Sequence, residues 1–338
     1  NKKRVLAMLL AGAMALSMTA CGGGNSASTD GSSNDGGASA SGGSYKVSVI
    51  LKTLAAEYWQ YVKSGAEDYA SEHSDKVTVE VKGPSSETAF DEMQNMIETD
   101  LSSGTYDGIV ISPLQSDTAA QLVSGTKLPI VAIDTNFTAP EVKSFVGTGN
   151  EAAAKKGGEA AVEAAKAAGW TDIKCIEIAG VQGDQTNTAR MNGYKAGVEE
   201  AGGTFLSDEV QYADATADRA TTAMEAIMQT HPEGIAIICA NNDDMAMAAA
   251  RAAQGHDAYK NTIFLGFNGD RAACEAILDG QMTMSVAQMA YEMGYKAVET
   301  MVQVLDGETV DEFVDSGSDV VTPDNAQERL DTLKTQLH

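Results

Sequence analysis

Histidine is nearly missing from this chain: His73, His231, His256 and His338 are the only four in 338 residues. They are scattered, with none of the spacing that gathers imidazoles on a metal. No G-x-S-x-G nucleophile elbow and no Walker loop occurs either, so hydrolase and phosphate-loop chemistry find no footing. Basic residues are also few, 23 Lys and Arg against 48 Asp and Glu, for a formal net charge of −25. Such a field repels nucleic acid and anionic membrane surfaces, and nucleic acid is not expected as a partner. A regulator of transcription would in addition need a DNA-binding helix pair near its N-terminus, where this chain reads as a signal and tether. Cysteine is limited to Cys21, Cys175, Cys239 and Cys274. If Cys21 is set aside, the remaining odd number cannot all pair. Cys175 and Cys239 lie in apolar strand-like runs, where a buried free thiol or a bridge between them are both open.

With 43% apolar and 21% charged residues, the chain has enough to build one large core or two smaller ones. Its first residues have the form of an export signal: Lys2, Lys3 and Arg4, then an apolar stretch from Val5 to Met18 that is short for a membrane span. Met18-Thr19-Ala20-Cys21 resembles the lipobox of bacterial lipoproteins, which implies cleavage before Cys21 and its lipidation. Residues 1–21 are therefore expected to be a lipoprotein signal peptide. Residues 22–44, rich in Gly and Ser with nothing to bury, are expected to be a flexible tether.

From Tyr45 strand and helix patterns alternate. KVSVIL, VTVEVK, YDGIVIS and LPIVAID read as strands, with helices near 57–72, 87–103 and 116–126. A second series follows, IKCIEIAG, TFLSDEVQY, EGIAIICA, TIFLGFN and TMSVAQ, with helices near 151–168, 187–201, 216–230, 243–254 and 270–279. Two such series predict an α/β protein of two doubly wound parallel sheets. Ligands of these sheets bind beyond the carboxyl ends of the strands. The residues there are Lys52, Ser112, Asp134, Thr135, Gln182 to Gln185, Asp214, Asn241 to Asp243, Asn268 to Asp270 and Gln288. Carboxylates, amides and a cation suit the hydroxyls of a polyol, with Asp134 and Arg190 giving charge-assisted bonds. Tyr58 and Trp59 would supply ring faces for the apolar side of a sugar.

Taken singly, each has a plainer reading. Asp243, Asp270 and Asn150 are good helix caps, Lys52 is at home in a solvated loop, and one of two adjacent aromatics belongs in a core. Recurrence at nearly every strand end favours a binding site. Gly147-Thr148-Gly149-Asn150-Glu151-Ala152 fits a dinucleotide fingerprint, but it lies after several strands and lacks the acidic residue about twenty positions on. No enzyme activity and no cofactor are expected.

The segments VILKTLAAEYW, GIVISPLQSDT, IVAIDTN, TARMNGY, CANNDDMAM, FLGFNGD and GQMTMSVAQ resemble, in this order, the ribose/allose group of periplasmic sugar-binding proteins, over residues 45–321. The resemblance implies the type I binding-protein fold, with one lobe of residues 45–148 and 289–315, another of 149–288 and 316–338, and a three-strand hinge. It implies a monosaccharide or related polyol bound by Lys52, Tyr58, Trp59 and Asp134 from the first lobe, and by Arg190, Asn242, Asn268 and Gln288 from the second. It also implies a monomeric, lipid-anchored receptor that delivers sugar to the permease of an ABC importer. Docking on a chemoreceptor or sensor kinase, with a sugar or furanosyl signal as ligand, is the alternative. The chain departs from the family at Asn268, where Asp is usual, and at Ala55-Ala56-Glu57, where a polar residue and a proline are usual.

Overall fold

The computed structural model describes residues 44–338. The proposed signal peptide, Cys21 and nearly all of the proposed tether lie outside the described residues. The described chain begins with β1 (Tyr45–Ile50), α1 (Glu57–Glu72), β2 (Val77–Lys82), α2 (Phe90–Ser102), β3 (Gly108–Ile111), α3 (Ser116–Val123), β4 (Ile130–Ile133) and β5 (Val142–Gly147). Then come α4 (Asn150–Ala167), β6 (Lys174–Ala179), α5 (Gln185–Glu200), β7 (Thr204–Phe205), β8 (Gln211–Tyr212), α6 (Ala217–Thr230), β9 (Ile237–Ala240), α7 (Asp243–Ala253), β10 (Ile263–Asn268), α8 (Arg271–Leu278) and β11 (Met284–Gln288). The remainder is α9 (Ala290–Leu305), β12 (Phe313–Asp315), β13 (Ser318–Val321) and α10 (Ala326–Thr335).

These strands make two sheets, in the orders β12-β5-β4-β3-β1-β2 and β13-β11-β10-β9-β6-β7, with β8 also paired to β6. Every pairing is parallel except β11 with β13. The expected fold, two parallel-dominated doubly wound sheets, is what forms. Central strands such as GIVI of β3, IVAI of β4 and IICA of β9 are buried throughout, because helices cover both faces of a parallel sheet. On the first sheet α1 and α9 lie on one face and α2 and α3 on the other; on the second, α4 and α5 oppose α6, α7 and α8. The chain passes between the sheets three times, at 148–149, at 289 and at 316–317.

One segment departs from expectation. TFLSDEVQY, read as a single strand, is two short ones, β7 beside the start of β6 and β8 beside its end. Between them Ser207–Glu209 forms a 3₁₀ turn, and the Glu209 carboxylate reaches His231 Nε2 at 2.5 Å. The polar Ser-Asp-Glu centre, which strand periodicity alone does not penalise, bends the edge away from the sheet. Cys175 and Cys239 are buried free thiols with Sγ atoms 3.4 Å apart, far outside the disulfide length of about 2.05 Å.

Candidate functional site

The carboxyl ends of both sheets face each other across a cleft of about 830 Å³. Asp134, the first residue past β4, lines it and has φ 63°. That left-handed conformation is tolerated by few residue types other than Gly, Asn and Asp, and it turns the side chain out of the strand. The carboxylate accepts a hydrogen bond from the Tyr58 hydroxyl at 2.8 Å and one from Thr135 Oγ1 at 2.9 Å, and Lys52 Nζ lies 3.8 Å away. Burial and the neighbouring Asp134 charge hold the Tyr58 phenol well above its ordinary pKa, so it remains a donor.

From Tyr58 the network crosses to the second half. The Tyr58 hydroxyl is also 3.4 Å from Gln288 Oε1, which accepts from Thr148 Oγ1 at 2.8 Å, while Gln288 Nε2 donates to Asn268 Oδ1 at 2.7 Å. Asn268 has φ 140°, a conformation of high cost outside glycine. It is held by the buried Asp243, which accepts from the Gly269 amide at 2.8 Å and from Ser285 Oγ at 2.6 Å. Burial, together with the nearby Asp270 carboxylate, pushes Asp243 up to about 7.

Arg190, on α5, is buried and donates from Nε to Asn150 Oδ1 and from Nη1 to the Asn241 carbonyl, both at 2.9 Å. Its guanidinium lies 3.9 Å from the centre of the Phe267 ring, and burial lowers its pKa. Asn150 in turn donates to the Thr148 carbonyl at 3.1 Å, so the β5–α4 crossing joins Arg190 to the Gln288 group.

The structure thus brings Lys52, Tyr58, Asp134, Thr135, Asn268 and Gln288 into one hydrogen-bonded or ion-paired group, with Arg190 attached through Asn150. The other expected site residues sit differently. Trp59 is 3% exposed, packs edge-on against Tyr58 and donates from Nε1 to Glu87 at 2.7 Å. Ser112 is fully buried and its hydroxyl has no partner among the described residues. Asn242 caps α7, accepting from the Met245 amide at 2.9 Å and donating to the Ala215 carbonyl. Thr148 enters the network without having been singled out from sequence, while Asp243, one of the strand-end residues, and Asn150 had the plainer reading of helix caps; the caps of α7 and α4 are instead Asn242 and Gly149. Among the described residues no group of three or more His, Cys, Asp and Glu is placed to hold a metal, and no helix is long and apolar enough to cross a membrane.

Known proteins place the chain as a whole. The D-allose-binding periplasmic protein of Escherichia coli (strain K12) is 30% identical over 264 residues, spanning 75% of this chain and 82% of that protein. The ribose import binding protein of the same strain is 28% identical over 268 residues, 78% of this chain and 86% of that protein. In structure, a carbohydrate transporter solute binding protein from Agrobacterium radiobacter, in complex with D-arabinose, matches with a TM-score of 0.72 at 24% identity, over 87% of this chain and 99% of that one. The periplasmic binding protein domain model matches residues 47–309, well over half of the sequence, and the chain belongs to that family.

Proposed function

We propose that this protein is an extracytoplasmic receptor that holds an allose- or ribose-like monosaccharide, or a related polyol, between its two halves and passes it to the permease of an ABC importer. Its role is binding rather than catalysis. The observation that carries this reading is the hydrogen-bonded group around Asp134, whose acceptors and donors come from both sheets and meet beside the cleft that Asp134 lines. Relatives that bind ribose and D-allose support it.

In this reading the ligand's hydroxyls replace the protein's own partners. Asp134 accepts two of them, Lys52 and Arg190 donate from either side, and Gln288 and Asn268 complete the set. Tyr58 offers its ring, and Trp59 backs it from the core. The lobes are 45–148 with 289–315, and 149–288 with 316–338, and the three crossings between them bend as a hinge. Sugar favours the closed arrangement by the difference between its affinities for the two, and closure is the signal the permease reads. Cys21 carries the lipid anchor and residues 22–44 tether the monomeric receptor to it.

A thermal-shift screen of the protein against pentoses, hexoses, polyols, sugar acids and nucleosides tests the reading, because a ligand that binds only the folded state raises the midpoint with saturation. A neutral sugar or polyol is expected to give the largest rise. Silence across all sugars, with a response to another class, would overturn it.

A further inference from the structure

Beside Asp134 and Asn150 the cleft continues toward α3, α5 and the edge strand β12. Two aromatics line this extension. Phe145 on β5 and Phe313 on β12 are register partners with ring centres 5.5 Å apart at 31°, and Phe313 is 43% exposed. The sheet makes room for them: a Cβ at Gly147 would lie 2.5 Å from Phe145 Cζ, so only glycine lets that ring lie along the strand. The same region is lined by Asp117, Glu151 and Gln185, all exposed, and no hydrogen bond ties these three side chains to other described residues.

An exposed aromatic face ringed by unengaged carboxylates and an amide is the chemistry of a saccharide: C–H faces pack on the rings, and hydroxyls donate to the acidic rim. Phosphates and carboxylate ligands are disfavoured there by the same rim. Size points the same way. Of the residues assigned to the sugar only Asp134 and Thr135 line this region, and its 830 Å³ falls within the roughly 300–1,000 Å³ of ligand pockets, so there is room for a further group beside them.

We propose that Phe145 and Phe313 form a second subsite, and that the protein takes its sugar also as the end unit of a disaccharide or glycoside, with the second ring or aglycone on this pair. The proposal rests on the reading that the Asp134 end takes a sugar ring.

Calorimetric titration of the protein with free hexoses and pentoses, their α- and β-phenyl glycosides and the corresponding disaccharides separates the two ideas. The sugar that binds free is expected to bind about two- to tenfold tighter as one of its phenyl glycosides or disaccharides. Phe313→Ala should erase that gain and leave affinity for the free sugar unchanged, while Phe313→Leu should retain part of it. Binding of the free sugar with exclusion of every glycoside and disaccharide would overturn the second subsite alone. So would an equal loss for free and linked sugar in Phe313→Ala. If no sugar binds in any form, the monosaccharide reading falls and the second subsite falls with it.

Discussion

Asp134 sits in a backbone conformation that asparagine also tolerates, which makes a clean test of its charge available. Asp134→Asn keeps the shape and the backbone preference but removes the carboxylate that Tyr58, Thr135 and Lys52 surround. Charge-assisted hydrogen bonds are worth about 1.5–3 kcal/mol, so sugar affinity should fall by about tenfold or more in calorimetry, with the ligand-free melting temperature nearly unchanged. A large loss of ligand-free stability would instead make Asp134 structural. Glu177, on β6, is a different case. It is fully buried, neither oxygen has a hydrogen-bond partner among the described residues, and burial raises its pKa from 4.5 to about 8, with the nearby Asn241 amide pulling the other way. A raised folded-state pKa contributes stability that is fully present below pH 4.5 and is lost as pH climbs through about 8. Denaturation of the parent and of Glu177→Gln at pH 5 and pH 8 should therefore diverge, the variant gaining roughly 1–3 kcal/mol relative to the parent at the higher pH. Parallel curves would show that Glu177 is solvated or paired. Residues past the strands were legible one by one because polar groups there have no place in a packed sheet. Whether Tyr58 or Trp59 would face the cleft was not, since adjacent helical residues point about 100° apart and either could turn inward.

The helices that frame the site meet backbone to backbone. A Cβ on Gly65 of α1 would lie 1.9 Å from the Tyr291 carbonyl oxygen of α9, and one on Gly294 of α9 would lie 1.9 Å from that of Val62. Alanine normally favours a helix over glycine by about 0.5–1 kcal/mol. Here Gly294→Ala should destabilise by roughly 1–3 kcal/mol, read as a lower urea midpoint at constant slope, because the helices must separate to admit the methyl group. An unchanged midpoint would mean that the pair is loosely packed. Since α1 begins at the Tyr58 turn and α9 begins just after Gln288, the same spacing sets the 3.4 Å between those side chains. Most strands and helices were readable from apolar period and strand-end chemistry. The β7–β8 turn was not, for its apolar ends mimic one strand while its acidic middle serves His231.

Across the whole molecule, Glu57 at the start of α1 and Arg271 at the start of α8 form an ion pair at 2.5 Å that joins the two halves, and Tyr61 donates to the same carboxylate at 2.8 Å. Glu57 belongs to the Ala55-Ala56-Glu57 stretch that departs from the family pattern. Both side chains are more than a third exposed, so the pair is worth no more than about 1 kcal/mol. Glu57→Gln is expected to weaken sugar binding by up to about fivefold at low salt, mostly through faster release, and the difference should fade in about 1 M salt. Equal affinities at low salt would remove the pair from closure. That Glu57 would meet Arg271, or that Thr148 would meet Gln288 across 140 positions, is invisible to local pattern. Such contacts are set by where three crossings lay the halves against each other.

Those crossings bear also on how the chain acquires its shape. β12 pairs with β5, and β13 with β11, so each sheet receives an edge strand from the last thirty or so residues of the sequence. Neither half can complete its hydrogen bonding from a contiguous stretch, and the loops to be closed are long. Native structure therefore rests on pairings of long sequence separation, and a chain stopped short of Phe313 leaves both sheets unfinished at once.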